Sequence, residues 1–220
     1  MNRPLPAVTI GVMTHVTTPR HRLTGRLVPT GLILLGAAPL AAGAATLTVS
    51  AVDGGPAPPL PVLLHALAAA PYTLLGGLQF APGLRARRPG RHRAAGRLLV
   101  ACGLVVALTG LWLAVSSARD DGPLLTGFRL AAGSLMAGSI VLGYVAIRRR
   151  DFVRHRAWMA RGYALGLGAG TQLVLLALAS VVVGAPGQVA TELLTGAGWA
   201  VNLAVAEWGV RAQRLTRSVS

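Results

Sequence analysis

Six long apolar runs alternate with short polar connections along the 220-residue chain. They cover residues 27–50, 60–81, 95–117, 124–147, 157–183 and 189–210. A bilayer core about 30 Å thick takes ~20 residues of helix, and every run reaches that length. The runs are continuous rather than alternating, so they predict helices and not strands. Within lipid a helix also satisfies its own backbone hydrogen bonds. Asp53-Gly54-Gly55-Pro56, Asp120-Asp121-Gly122-Pro123 and Gly184-Ala185-Pro186-Gly187 read as turns between consecutive runs. None is long enough for a folded extramembrane domain. The expected architecture is all-α: one transmembrane bundle over residues 27–210, with basic tails at 1–26 and 211–220.

Composition agrees with that pattern. Hydrophobic residues make up 53% of the chain and charged residues 12%, about half the charged share of an ordinary soluble domain. All 21 basic residues are arginine, against 6 acidic ones, for a net charge of +15. On a soluble protein such a charge suggests nucleic acid. Here the guanidinium groups are confined to short segments between apolar runs, so no nucleic-acid partner is expected. The layout points to topology signals and to the anionic lipids of the inner leaflet.

Orientation follows from where the arginines fall. The tail through Arg26 has four, Arg85 to Arg97 has six, Arg148 to Arg161 has six, and Arg211 to Arg217 has three. Only Arg119 and Arg129 fall on the other side, with Asp53, Asp120, Asp121 and Glu192. The positive-inside rule then places both termini in the cytoplasm, as expected of a multi-pass protein of a bacterial inner (plasma) membrane. The run before Ala45, with Ala42-Gly43-Ala44 behind it, also fits a signal peptide; cleavage there would leave five spans in the same orientation. An internal echo supports paired hairpins: residues 84–94 align with 147–157 at an offset of 63. Both segments end one span, carry an Arg-His-Arg triplet and begin the next.

Few residues carry chemistry. His92 and His155 each open an outward-running helix at similar depth, so they can ligate a b-type heme from its two faces. The bland reading is a solvated, headgroup-contacting loop. His65 lies inside the second run, where an ionisable group is costly. Glu207 is the one carboxylate in the inner half of any run, and Arg161, Arg97 and Arg211 are its candidate partners. That group reads as a structural ion pair or as a proton relay. A small transporter or channel would use His65, Glu207 and Arg161 along one internal path. Arg129 is expected to meet Asp120, Asp121 or Glu192, or to snorkel to the outer surface. Gly162, Gly166 and Gly170 form a stripe that allows close helix packing, and Trp158, Trp199 and Trp208 fit an interfacial belt. Cys102 is the lone cysteine and reads as a small buried hydrophobe. Two histidines without a carboxylate at suitable spacing make no metal site. Phosphate-loop, zincin and nucleophile-elbow motifs are missing, so no catalytic residue is assigned.

An ordered set of motifs resembles a bacterial membrane family, domain of unknown function 2306. Its first part is Gly77-Leu78-Gln79-Phe80, Leu84-Arg85, His92-Arg93 and Gly96-Arg97. Thr109-Gly110-Leu111-Trp112-Leu113-Ala114 and Gly127-Phe128 resemble its middle. Arg150-Asp151, His155-Arg156, Trp158-Met159, Arg161 and Tyr163-Ala164-Leu165 resemble its most specific motif, and Asn202-Leu203 with Ala206-Glu207-Trp208 its last helix. The chain departs at Ala94, where the family has an aromatic, and at Gln172, where it tends to have an arginine. The resemblance implies a multi-helix membrane fold and names no activity.

Overall fold

The computed structural model describes residues 19–81 and 86–218, with the side chains of 19–26, 214 and 216–218 left aside. Among the described residues there are seven helices and no strand. We label them α1 (Pro19–Val52), α2 (Leu60–Gln79), α3 (Pro89–Ser116), α4 (Pro123–Arg148), α5 (Phe152–Gly166), α6 (Gly168–Val183) and α7 (Gln188–Ser218). Five are long and apolar enough to cross a membrane. The pair α5 and α6 forms a sixth candidate span, bent by 43°.

A proline stands in the first two positions of α2, α3 and α4. Pro89 and Pro123 stand at the first helical positions of α3 and α4, and Pro61 at the second position of α2, where the missing N–H leaves no bond unmade. Consecutive helices run antiparallel, as their contacts show. Gly77 of α2 abuts Ile33 of α1, Gly103 of α3 abuts Tyr72, Gly133 of α4 abuts Leu111, and Gly162 of α5 abuts Ile140. The turns after α1, α3 and α6 therefore lie at one end of the bundle. The connections after α2 and α4, with both helical termini, lie at the other. We call these the acidic-turn end and the arginine end.

The core sits where α2, α3, α4 and α5 meet. Tyr72, Val106, Ala107, Met136, Ile140 and Tyr163 are buried there. Small residues admit the large ones: a side chain at Gly103 or Gly166 would meet the Tyr72 ring, and one at Gly76 would meet that of Tyr163. Tyr163 donates its hydroxyl proton to the Thr73 carbonyl at 2.6 Å, and its ring lies 5.2 Å from Phe80 and 5.9 Å from Tyr72. Around this core many leucines and valines stay exposed, including Leu34, Leu67, Leu108, Leu178 and Val205. An apolar rim of that extent suits acyl chains as its solvent.

Three sequence expectations change. The run at 157–183 is not one straight helix, because the chain breaks at Leu167. The arginines of 87–97 belong largely to α3, whose helix starts at Pro89 and not at residue 95. The segment 211–218 is also helical, a continuation of α7. In the internal echo, Leu84 and Arg85 lie outside the described residues.

Candidate functional site

The turn between α4 and α5 sets the geometry of the arginine end. Arg150 has φ 60°, and the Arg150 and Asp151 amides bond back to the Ile147 and Ala146 carbonyls at 3.0 and 2.9 Å. This is a Schellman closure with arginine where glycine is usual. Asp151 then caps α5, its Oδ1 accepting from the Arg154 amide at 2.9 Å. One three-residue reversal thus ends α4 and starts α5. His155, one turn into α5, hydrogen-bonds through Nδ1 to the Gly143 carbonyl at 2.9 Å, which clamps the two helices together.

Two turns further along α5, Arg161 reaches across to α7. Its Nε and Nη2 meet the two carboxylate oxygens of Glu207, the second at 3.1 Å. Arg161 also lies over the Trp158 ring, 4.6 Å from its centre. The side chains of this ion pair are 20% and 34% exposed, so the pair is only partly shielded from its surroundings. Arg97 is exposed and forms no ion pair with Glu207. Deeper in, the break at Leu167 is sealed by α7. Asn202 Nδ2 donates to the Ala164 carbonyl at 3.0 Å, and Thr171 donates to Asn202 Oδ1 at 2.7 Å. Gln172 donates to the Thr195 carbonyl at 3.0 Å, and Trp199 packs directly on Gly168. A backbone carbonyl beside a break in lipid needs such a donor, and α7 supplies it. This seam of polar side chains holds the bend.

The glycine stripe also divides at the bend. Gly162 and Gly166 face Ile140, Met136 and Tyr72 of α4 and α2, whereas Gly170 sits against the Leu35 carbonyl of α1. Trp199 belongs to the helix interface at the break and not to an interfacial belt. Trp208 is exposed, and Trp158 borders an open cleft of about 410 Å³ with Leu142, Arg154, Ala157 and Arg161.

The acidic-turn end is built differently. Arg129 pairs with Asp121, eight residues away. His65 Nδ1 lies 3.0 Å from the Thr109 hydroxyl, which is also 2.6 Å from the Val105 carbonyl. Glu192, at 5% exposure, is buried against Gly122 and accepts from Gln188 at 3.0 Å. His65 and Glu207 do not line one path. They belong to opposite ends, roughly 20 Å apart along the axis by helical rise, with the apolar core between. Among the described residues no cluster of His, Cys, Asp and Glu can hold a metal ion. The structure gives the heme reading no positive support.

A family of predicted membrane proteins, DUF2306, matches residues 62–210. The chain belongs to that family. No curated protein and no solved structure matches it. The family's description fits the five or six candidate spans and names no activity. Two of the motifs that suggested it meet beside the bend: Trp158, Arg161 and Tyr163 come from α5, Asn202 and Glu207 from α7. Gln172, which departs from the family pattern, spends its amide on α7.

Sequence reasoning did not anticipate the break, the Tyr163 bond to Thr73, the Asn202 seal or the burial of Glu192. The glycines at 166, 168 and 170 were the available signal for the break, since glycine destabilises a helix interior. Nothing in the sequence marked Arg150 as left-handed.

Proposed function

We propose that this multi-pass membrane protein sits with its arginine end and both termini in the cytoplasm, where its basic rim contacts anionic lipid. The reading extends to a bacterial plasma membrane as the host. One observation carries it: the turn after α4, the start of α3 and the end of α7 all bring arginines to one end, while Asp53, Asp120, Asp121 and Glu192 gather at the other. Arginine near an anionic leaflet gains about 1 kcal/mol each, and translocating it is disfavoured. The Arg161–Glu207 pair and the Asn202 seal act as fasteners of the bent span in this reading, with no catalytic role assigned.

Reporter fusions test the orientation. A cytoplasm-active reporter placed after Arg88, after Arg149 and at the C-terminus should be active at all three positions, and one in the Asp120 turn should be silent. Activity at Asp120 with silence at Arg149 would invert the assignment. Native mass spectrometry tests the lipid contact: phosphatidylglycerol should be retained over phosphatidylcholine when both are offered equally. Equal retention would remove the anionic-lipid part.

A further inference from the structure

The open cleft at the arginine end brings two arginines and an indole ring together beside apolar walls. Ala157 and Trp158 each stand three or four residues from both Arg154 and Arg161, the spacing that puts side chains on one helix face. Leu142 of α4 forms the opposite wall. The volume of about 410 Å³ falls in the usual range of small-ligand sites, about 300–1,000 Å³.

The two guanidinium groups differ: Arg161 is held in place by its carboxylate and offers directed N–H donors, whereas Arg154 is loosely paired and offers a cation. Arg161 spends Nε and Nη2 on Glu207, which leaves Nη1 and holds the plane of the group against Trp158. Arg154 meets Asp151 at 3.4 Å, but its side chain is 75% exposed. An exposed pair of that kind is worth little, so a phosphate can take its place at small cost. Two arginines seven residues apart span about 10 Å of helix axis, a headgroup-to-glycerol depth. The other walls, Leu142, Ala157 and Trp158, are apolar, and Leu142 is exposed. A free anion has no use for those walls, whereas an acyl chain does.

We infer that the cleft between Leu142 and the Arg154–Arg161 face of α5 binds the phosphate of an anionic phospholipid, its acyl chain running past Leu142. This rests on the cytoplasmic, lipid-contacting reading of the arginine end and assigns one discrete site within it.

The test uses the full chain in nanodiscs with acyl-brominated phosphatidylglycerol or acyl-brominated phosphatidylcholine at equal mole fraction. Bromine quenches nearby tryptophan, and Trp158→Phe gives the signal to subtract. The Trp158 component should be quenched at least twice as strongly by the anionic lipid. Arg154→Gln should abolish that preference, whereas Arg93→Gln, on the rim but outside the cleft, should keep it. Should Trp158→Phe fail to fold, lipid counting by native mass spectrometry substitutes: Arg154→Gln should lose one tightly retained phosphatidylglycerol that Arg93→Gln keeps. Equal quenching by both lipids, with phosphatidylglycerol still retained by the whole protein, would overturn the cleft and leave the rim. No anionic retention of any kind would overturn both. Loss of the preference on adding millimolar inorganic phosphate would show a free-anion site and overturn the lipid assignment.

Discussion

The two ends of the bundle each carry an arginine–carboxylate pair, and they use it differently. At the arginine end, Arg161 and Glu207 are 46 residues apart and join α5 to α7. At the acidic-turn end, Arg129 and Asp121 are 8 residues apart and close the α3–α4 turn onto its own helix. The first pair stands beside a broken span whose far half, α6, buries only Gly168 and Gly170 and is held mainly by the α7 seam. The second stands beside unbroken helices whose place is already set by short connections. A tie between distant segments matters most where local structure is weakest, so the same chemistry should weigh more at the arginine end.

The strongest test of that view removes the seat of the bend. A side chain at Gly166 would come within 2.5 Å of the Tyr72 ring and 3.3 Å of Met136. Tyr72 is buried, so the ring has little room to retreat. Overpacking of this kind costs about 1–3 kcal/mol, and Gly166→Val should fall at the top of that range in reversible detergent unfolding followed by tryptophan fluorescence. Gly138, on α4 with open space beside it, is the matched control and should tolerate Ala. If the two substitutions destabilise equally, the bend has no special seat.

The ion pairs come next. Removing one partner of a well-buried pair costs about 3–5 kcal/mol, and partial exposure reduces that toward the surface limit of about 1 kcal/mol. Glu207→Gln should therefore lose about 2 kcal/mol. Arg129 and Asp121 are shielded to the same degree, 35% and 19% exposed, so the smaller loss expected of Asp121→Asn, about 1 kcal/mol, comes from the short chain segment that already holds the two together. A double-mutant cycle of Arg161→Gln with Glu207→Gln should give a coupling of about 1 kcal/mol or more. Coupling as large between Arg129 and Asp121 would erase the contrast between the ends.

How much of this could be read from the chain depends on what each feature rests on. Hydropathy alone gave the all-helical fold and five of the runs, because long apolar helices follow from the bilayer's dimensions and not from particular contacts. The fifth run looked equally continuous, since Ala157–Val183 carries no proline or charge past Arg161 to betray a bend. Its break depends on three glycines at close spacing and on Asn202, which is distant in sequence and useful only once α7 lies alongside. Charge narrowed the partners of Glu207 to Arg161, Arg97 and Arg211, and the register of α5 against α7 selects Arg161. In the sequence Glu192 stands only as a possible partner of Arg129. Its burial follows from Gly122, whose missing side chain lets the carboxylate pack onto the neighbouring turn. The left-handed Arg150 follows from the Schellman closure, which no spacing rule signals.

The smallest expected effect compares the neutral hydrogen bonds of the two ends. Asn202 and Thr109 each sit in a chain of two bonds, yet they differ in what is left behind when they are cut. Asn202→Leu leaves the Ala164 carbonyl beside the break without its donor, and Thr171 without its acceptor. Thr109→Val leaves only His65 Nδ1 to find another partner, because the Val105 carbonyl accepts within an intact helix and the Thr109 hydroxyl is an addition to that bond. Interhelical side-chain bonds in membranes average about 0.6 kcal/mol and reach about 1.7 kcal/mol. Asn202→Leu belongs near the upper figure and Thr109→Val near or below the lower one. The two variants should also differ in kind. Amide hydrogen exchange should speed up at residues 164–172 in Asn202→Leu, whereas Thr109→Val should leave exchange in α2 and α3 as it was. A hydroxyl at position 109 that mattered as much as the amide at 202 would mean that His65, and not the bend, is where this fold is held.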